Sequence, residues 1–321
     1  MLPLMRQTAP MGIDNGMIRK EGDEDRMNQK RKHILRWVMC MLCLVVLVGC
    51  DIKESKKKKS DNQDSGAVLG SQHVTATPAN QQEEKEQEEI QVCFIGNSLI
   101  DYGSQSNYLK DMALCYGRNI RVDKLTWGGA YLSDYVEGTY MTKKEVKERL
   151  AKADIVVFQD YGGWVGKSTV GAIKKLKKWC KKDAQFYYYM YEDDQYDMTK
   201  DDYMKLKKMN LSLIPKGQLI AELYDMNYTY QELHLENDFH PNNFNGYVSA
   251  LVMHGVLFHE KCMDFPKEWF LGENTQQLSK PLDEIIASIH GDTNEDVWAE
   301  FQAICQKADQ LIEDVSKQEA E

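Results

Sequence analysis

Two short segments of this chain carry residues that could perform nucleophilic chemistry. Ser98 lies in the sequence GNSL at 96–99, directly after an apolar run, and His240 lies in DFHP at 238–241, directly before another apolar stretch. A serine hydroxyl is a weak nucleophile, so it needs an imidazole that accepts its proton and later returns it to the leaving group. The imidazole in turn needs a partner that fixes its tautomer. A serine followed by an aspartate and a histidine therefore predicts serine hydrolysis.

The sequence leaves open which group orients His240. Asp238 stands two residues before the histidine and Glu236 four before it, whereas Asn237 stands three before it. A loop could bring Asp238 onto the imidazole N–H, and this carboxylate is the expected partner. Asn237 or a main-chain carbonyl could orient the ring instead, which would leave a dyad of serine and histidine.

Both candidate residues also have a purely structural interpretation. Ser98 is followed three residues later by Asp101, an arrangement that is common where a serine caps the start of a helix. His240 could likewise cap the helix predicted by the apolar residues that follow it. The occurrence of both segments in one chain favours the catalytic interpretation.

The elements that would position these residues follow from the hydrophobic pattern. Short apolar runs predict buried strands, with helical spacing of apolar residues between them. The predicted strands are residues 90–95, 120–125, 155–158 and 186–191, with a fifth candidate at 213–218. Strands that alternate with helices indicate a parallel sheet covered by helices on both sides. In such sheets, binding sites form at the carboxyl ends of the strands.

The two segments also match known sequence blocks. GNSL agrees with Gly-Asp-Ser-Leu at three of four positions, and the histidine is followed by proline and a predicted helix. In these features residues 90–260 resemble the SGNH, or GDSL-type, hydrolase superfamily, and more closely a branch with a Gly-Asn-Ser block. The resemblance implies an α/β fold with three layers, α/β/α, around a parallel, flavodoxin-like central sheet.

The resemblance also implies residue roles. Ser98 would be the nucleophile and His240 the general base. The oxyanion would be bound by the N–H of the serine, by the N–H of Gly129 or its neighbour Gly128, and by the side-chain amide of Gln159, which stands where the family has asparagine. A tight turn at the glycines and a strand-end hydrogen bond at Gln159 are the alternatives. Such a mechanism requires no cofactor.

Several aromatic residues follow the predicted strand ends. They are Tyr102, Trp127, Tyr131, Tyr161 and Trp164. Aromatic faces at the mouth of a cleft suit sugar rings as well as acyl chains, although each of these residues could equally pack in the core.

The N-terminal region is typical of a secreted protein. Basic residues at 30–36 precede an apolar stretch at 37–49 that is too short to cross a hydrocarbon core of ~30 Å. The stretch ends in LVGC, which resembles the bacterial lipobox, so residues 1–49 are predicted to be a signal peptide and Cys50 to be lipidated. Because the first 26 residues are long and acidic for such a leader, translation is expected to start at Met27.

The regions that flank the predicted domain differ from it in composition. Residues 50–89 are almost entirely polar and predict a disordered tether. Residues 261–321 predict a helical extension, whose apolar stripe would pack on the domain or bind a partner. The net charge of −10 argues against nucleic acid as a partner. The cysteines of the predicted domain are widely spaced and offer no metal-ligand pattern.

Together these observations predict a lipid-anchored serine hydrolase on the extracytoplasmic face of a membrane, acting on a small-molecule or glycan ester. Carbohydrate O-acetyl esters and lipid esters are the candidate substrates that the resemblance implies. The alternative is a catalytically inactive surface lipoprotein that binds a glycan or another ligand on the same fold. Its motivation is the departure from the family pattern at Asn97, at Asn237 and at the missing asparagine of the third block.

Overall fold

The computed structural model describes four stretches of the chain, residues 89–161, 165–191, 200–271 and 282–320. All of them belong to one compact unit, Gln81–Glu321. The predicted signal peptide, Cys50, the predicted tether up to residue 88, and Trp164 lie outside the described residues.

The centre of the fold is a five-stranded parallel sheet with the order β2-β1-β3-β4-β5. The strands are β1 (Ile90–Gly96), β2 (Ile120–Thr126), β3 (Ile155–Phe158), β4 (Gln185–Tyr189) and β5 (Ser212–Ile214). This order is that of flavodoxin-like sheets, whose ligand sites lie at the carboxyl edge beside β1 and β3. The predicted fold class is confirmed.

Helices connect the strands and continue after β5. In chain order they are α1 (Ser98–Asp101), α2 (Gln105–Cys115), α3 (Leu132–Glu137), α4 (Lys143–Leu150), α5 (Lys167–Leu176), α6 (Lys200–Lys207), α7 (Lys216–Asp225), α8 (Tyr230–Leu233), α9 (Asn243–Phe258), α10 (Lys267–Phe270), α11 (Asp283–Ser288) and α12 (Asn294–Ala320).

The sheet separates two hydrophobic cores, which makes the fold three-layered. Successive side chains of a strand point to opposite faces. In β1, accordingly, Val92 and Phe94 join a core with helices α2, α7, α9 and α12, whereas Cys93 and Ile95 join a core with α3, α4 and α5. All four side chains are at most 1% exposed. Burial on both faces explains why the strand is an unbroken apolar run rather than an alternating one.

The fifth predicted strand is wrong in its second half. Residues 213–214 lie in β5, but α7 begins at Lys216. Proline at 215 cannot donate a hydrogen bond to a sheet. Beyond it Leu219, Ile220 and Leu223 recur at helical spacing and are fully buried, so packing against the sheet favours a helix there.

The last helix, α12, packs against the domain. Phe301, Ile304, Cys305 and Ala308 are fully buried in the same core as the residues of α9. In the part of the chain that the structure describes, none of the helices has the length and apolar character needed to cross a bilayer.

Helices α2 and α9 approach each other through two glycines. Gly103 precedes α2 and has a φ of 69°, and Gly246 lies in the first turn of α9. A Cβ atom at Gly246 would overlap the carbonyl oxygen of Gly103, and one at Gly103 would lie 2.5 Å from the carbonyl oxygen of Asn242. Only glycine permits so close an approach of the two main chains, and glycine adopts this φ at no steric cost.

Side-chain hydrogen bonds surround the glycine contact. Ser104 Oγ lies 3.1 Å from Asn243 Oδ1. Gln105 is fully buried and donates to the carbonyl oxygens of Leu99 and Tyr102, both at 3.1 Å. The chain that leaves β1 is therefore held against the start of α9, and the residues just before α9 are brought to the carboxyl edge of the sheet.

We expect Gly246→Ala to lower the free energy of unfolding by about 3 kcal/mol, because the added methyl group overlaps main-chain atoms that cannot move aside independently. Gly171→Ala is the matched control, since a Cβ there meets nothing within 4 Å and alanine is the better helix former by about 1 kcal/mol. Urea unfolding followed by circular dichroism measures both. Equal stability of the two variants would contradict the close approach.

Candidate active site

Ser98 lies at the point where β1 turns into a helix. The helix is capped by Asn97, whose side-chain Oδ1 accepts a hydrogen bond of 3.0 Å from the N–H of Leu99. Ser98 is therefore the first helical residue and not the cap, so its hydroxyl is not used to satisfy the helix end. It reaches the imidazole of His240 instead, with 2.8 Å between Ser98 Oγ and His240 Nε2.

A tight turn before α9 presents His240. The N–H of Leu235 donates to the carbonyl oxygen of His240 at 2.9 Å, and the N–H of Asp238 donates to the carbonyl oxygen of Leu235 at 3.0 Å. Between them Asn237 has a φ of 58°. Asparagine tolerates this left-handed conformation better than most residues, which gives Asn237 a role in the turn.

The carboxylate of Asp238 completes a continuous row of three side chains. Its Oδ1 lies 2.8 Å from His240 Nδ1 and also accepts the N–H groups of Phe239, at 2.7 Å, and of His240, at 3.3 Å. Of the alternatives that the sequence left open, the structure brings Asp238 onto the ring; Asn237 lies in the turn.

The surroundings keep Asp238 ionised. Burial raises the pKa of its carboxyl group, but the hydrogen bond and charge of the His240 imidazole and two main-chain N–H groups outweigh burial, so that the pKa lies below its ordinary value. An ionised carboxylate can only accept hydrogen bonds. It can therefore accept a hydrogen bond from an Nδ1–H of His240, and in that tautomer the lone pair of Nε2 is directed at Ser98.

Aromatic rings fix the plane of the imidazole. Tyr102 and Phe239 stack on His240 with ring centroids 4.2 and 4.4 Å away and interplanar angles of 25°. Tyr191, just beyond β4, donates a hydrogen bond of 2.6 Å to the carbonyl oxygen of Phe239. The side chain of His240 is 14% exposed, so it is enclosed but remains open to solvent.

The turn that contains Gly128 and Gly129 is tied to the serine segment. Asn97, which is fully buried, donates from Nδ2 to the carbonyl oxygen of Ala130 at 3.0 Å, and the N–H of Ala130 donates to the carbonyl oxygen of Trp127 at 3.1 Å. Gly129 has a φ of 71°. An aspartate at 97 would have no proton for the carbonyl of Ala130, which explains why asparagine suits this chain.

The expectation that Gln159 binds an oxyanion is wrong. Its side chain is fully buried, its Oε1 accepts the N–H of Asn97 at 2.9 Å, and its Nε2 donates to the carbonyl oxygen of Asp160. The amide is thus directed at the main chain. A Cβ at Gly96 would lie 2.5 Å from Gln159 Oε1, so the glycine that ends β1 makes room for this hydrogen bond.

Asp160 is a site-forming residue that the sequence analysis did not single out. Its carboxylate is 4% exposed and accepts the N–H of Leu132 at 3.1 Å, the N–H of Tyr161 at 3.0 Å and the hydroxyl of Thr169 at 2.6 Å. It joins the loops after β2 and β3 to helix α5. The available signal was a carboxylate two residues after a buried strand, where parallel sheets place their loops together.

Two main-chain N–H groups remain candidates for binding an oxyanion. The N–H of Ser98 opens a helix and so has no acceptor within that helix. Among the hydrogen bonds of the described residues, none uses the N–H of Gly129. Within the same stretches, no group of three or more histidine, cysteine, aspartate or glutamate side chains is arranged to hold a metal ion.

Comparison with known proteins gives partial structural overlap. No family model and no curated protein sequence matches this chain. A DUF4886 family protein from Bacteroides uniformis is 14% identical, with a TM-score of 0.46 over 70% of this chain and 95% of that chain. A candidate SGNH hydrolase from Slackia heliotrinireducens is 18% identical, with a TM-score of 0.41 over 53% and 100%.

A lipase from a goat rumen metagenome is 12% identical, with a TM-score of 0.38 over 50% of this chain and 94% of that chain. At these scores the overlaps carry no argument about the site. The fold class rests on the strand order of the sheet, and the chemistry of the site rests on the hydrogen-bonded row of Ser98, His240 and Asp238.

Proposed function

We propose that this protein is a serine hydrolase of the SGNH type that cleaves ester bonds through an acyl-enzyme. The observation that carries the proposal is the row of two 2.8 Å hydrogen bonds, from Ser98 Oγ to His240 Nε2 and from His240 Nδ1 to Asp238 Oδ1. These distances lie within the range that general base catalysis needs.

The reaction begins with acylation of the serine. Ser98 Oγ attacks the ester carbonyl carbon while its proton passes to His240 Nε2, and Asp238 stabilises the imidazolium that forms. When the tetrahedral intermediate collapses, the bond between the carbonyl carbon and the alcohol oxygen breaks. The alcohol leaves with the proton from Nε2.

Deacylation repeats these steps with water as the nucleophile. His240 removes a proton from the water, whose oxygen attacks the acyl carbon, and the proton is then returned to Ser98 Oγ as the acid leaves. The negative charge of both tetrahedral intermediates would be bound by the N–H groups of Ser98 and Gly129. A main-chain donor of this kind contributes roughly a hundredfold to a thousandfold in turnover.

The alternative function is a binding protein without turnover, suggested by departures from the family pattern. Asn97 caps α1 and donates to Ala130, and Asn237 occupies a left-handed turn. Neither substitution removes a group from the row of Ser98, His240 and Asp238. Gln159, which stands at the third departure, directs its amide at the main chain and leaves the oxyanion to main-chain N–H groups. Because all three departures leave the row intact, the hydrolase is the better supported function.

The nucleophile is tested with a fluorophosphonate probe, which reacts with activated serines. We expect the purified protein to be labelled on Ser98, with complete loss of labelling in Ser98→Ala and strong loss in His240→Ala. Ser316→Ala is the control, because Ser316 is an exposed serine near the end of α12 whose hydroxyl donates to the carbonyl oxygen of Ile312. Absence of labelling in a folded protein that binds glycans would favour the binding protein.

The orienting carboxylate is tested with a pair of neighbouring substitutions. Asp238→Asn keeps the size of the side chain but removes the charge that supports the imidazolium, so kcat should fall by about a thousandfold or more. Asn237→Gly retains access to the left-handed turn and should keep kcat near the wild-type value. Steady-state kinetics with p-nitrophenyl acetate measure both. A kcat that is retained in Asp238→Asn but lost in Asn237→Gly would assign the orienting role to Asn237.

We also propose, from the sequence alone, that Cys50 carries a lipid and anchors the protein at the extracytoplasmic face of a bacterial membrane. The chain expressed in a bacterium should incorporate an alkyne-tagged palmitate and sediment with membranes, whereas Cys50→Ser should do neither. Cys43→Ser, inside the apolar stretch, is the matched control and should still be labelled. Equal labelling of Cys50→Ser would contradict the proposed anchor.

A further inference from the structure

The exposed aromatic side chains of the described residues are concentrated at one edge of the sheet. Each of them follows β1, β2 or β3, or belongs to or contacts the His240 loop: Tyr102, Trp127, Tyr131, Tyr140, Tyr161, Tyr230 and Phe239. The exposed leucines and methionines in the same parts of the chain are Leu114, Met204, Met263 and Leu235, and only Leu235 lies in that loop. Aromatic surface is therefore gathered around Ser98, whereas exposed aliphatic surface is scattered.

Trp127 and Tyr140 form the most exposed pair in this group. Trp127 is 53% exposed and Tyr140 is 44% exposed. Their ring centroids lie 5.4 Å apart and their planes differ by 9°, so the two rings are stacked nearly parallel at the surface. Neither ring is needed to fill one of the two buried cores, to which other side chains contribute.

The pair is placed beside the nucleophile by the register of the sheet. Trp127 directly follows β2, and its N–H donates to the carbonyl oxygen of Gly96, two residues before Ser98, at 3.4 Å. In β1 and β2, Gly96 pairs with Thr126. A ligand resting on Trp127 would therefore lie next to the carboxyl end of β1, which the half-buried Ser98 follows.

A second aromatic pair lies on the adjoining loops. Tyr131 and Tyr161 have ring centroids 5.5 Å apart and are 51% and 38% exposed. They follow Gly129 and Asp160, whose loops are joined by the hydrogen bond from the N–H of Leu132 to Asp160. The aromatic surface thus extends from Trp127 across the candidate oxyanion site.

The chemistry of these side chains favours a sugar over a fatty acyl chain. An acyl chain offers no hydrogen-bonding groups and is best bound in an enclosed aliphatic groove. A sugar ring has one face of C–H groups, which can rest on an aromatic face, and hydroxyl groups at its rim. Tyrosine and tryptophan combine a large apolar face with an O–H or N–H group that remains hydrated, which matches such a ring.

We propose that Trp127 and Tyr140 form a subsite that stacks on a sugar ring, so that the substrate is an ester of a carbohydrate hydroxyl. This inference rests on the proposed hydrolase function and assigns its alcohol side. The sugar oxygen is the leaving group: its bond to the acyl carbon breaks, and it takes the proton from His240 Nε2 while the acyl group passes to Ser98.

The kinetic test compares two kinds of ester. Wild-type protein and Trp127→Ala are assayed on a panel of chemically acetylated gluco-, xylo- and manno-oligosaccharides, on p-nitrophenyl acetate and on p-nitrophenyl octanoate. We expect the ratio of kcat/KM for the best oligosaccharide to kcat/KM for p-nitrophenyl acetate to fall at least tenfold in Trp127→Ala, mainly through KM. Trp127→Phe, which keeps a flat ring, should recover much of the ratio.

Trp179→Ala is the matched control. Trp179 lies before the amino-terminal end of β4, whereas Ser98 lies at the carboxyl ends of the strands, and its ring contacts Lys147. The substrate ratio of Trp179→Ala should equal that of the wild type. An unchanged ratio in Trp127→Ala would overturn the proposal. A loss confined to p-nitrophenyl octanoate would replace the sugar with an acyl chain.

A binding measurement separates this inference from the hydrolase proposal. Ser98→Ala cannot turn over substrate, and its titration with the unacetylated oligosaccharides by calorimetry reports the subsite alone. Binding that weakens at least fivefold when Trp127→Ala is added supports the subsite even if no ester is cleaved. Absence of binding by every oligosaccharide would reject it even if Ser98 reacts with a fluorophosphonate.

Discussion

The contact between Gly103 and Gly246 is the constraint on which the rest of the site depends. The segment that leaves β1 and the segment that enters α9 lie far apart in the chain, and their main chains touch where neither has a side chain. Because α9 is almost completely buried, its first turn cannot shift without disturbing the core. The position of Ser98 relative to His240 is therefore set by packing between helices, and the hydrogen bond between them forms as a consequence of it.

A buried polar network then fixes the loops at the carboxyl edge of the sheet. Asn97, Gln159 and Asp160 are almost inaccessible to solvent, and each makes at least one hydrogen bond to a main-chain group of a neighbouring loop. Such groups are costly to bury without partners and become rigid when all partners are present. Of the departures from the family pattern, Asn97 and Gln159 use their amide groups in this network, and Asn237 occupies a left-handed turn.

Around this buried polar network, the surface of the site consists of aromatic side chains. Tyr102 and Phe239 hold the imidazole plane, and the exposed rings of Trp127 and Tyr140 continue the same kind of surface away from the nucleophile. In the proposed function, bond cleavage and recognition of the alcohol would thus be divided between two sets of residues. The first set is fixed by the core, and the second lies on loops, where side chains can differ without altering the sheet.

The sequence alone determined the parallel sheet with helices on both faces, since strands buried on both sides must be continuous apolar runs and their alternation with helices leaves few other topologies. It also singled out Ser98, His240 and Asp238, because their residue types and neighbours are those that nucleophilic catalysis requires. Only the tertiary structure decided that Asp238, rather than Asn237, meets the imidazole, that Gln159 faces the main chain, and that α7 replaces the end of the fifth predicted strand. Each of these outcomes depends on contacts between segments distant in sequence, on a left-handed turn or on burial against the sheet, and local residue patterns do not encode such distances.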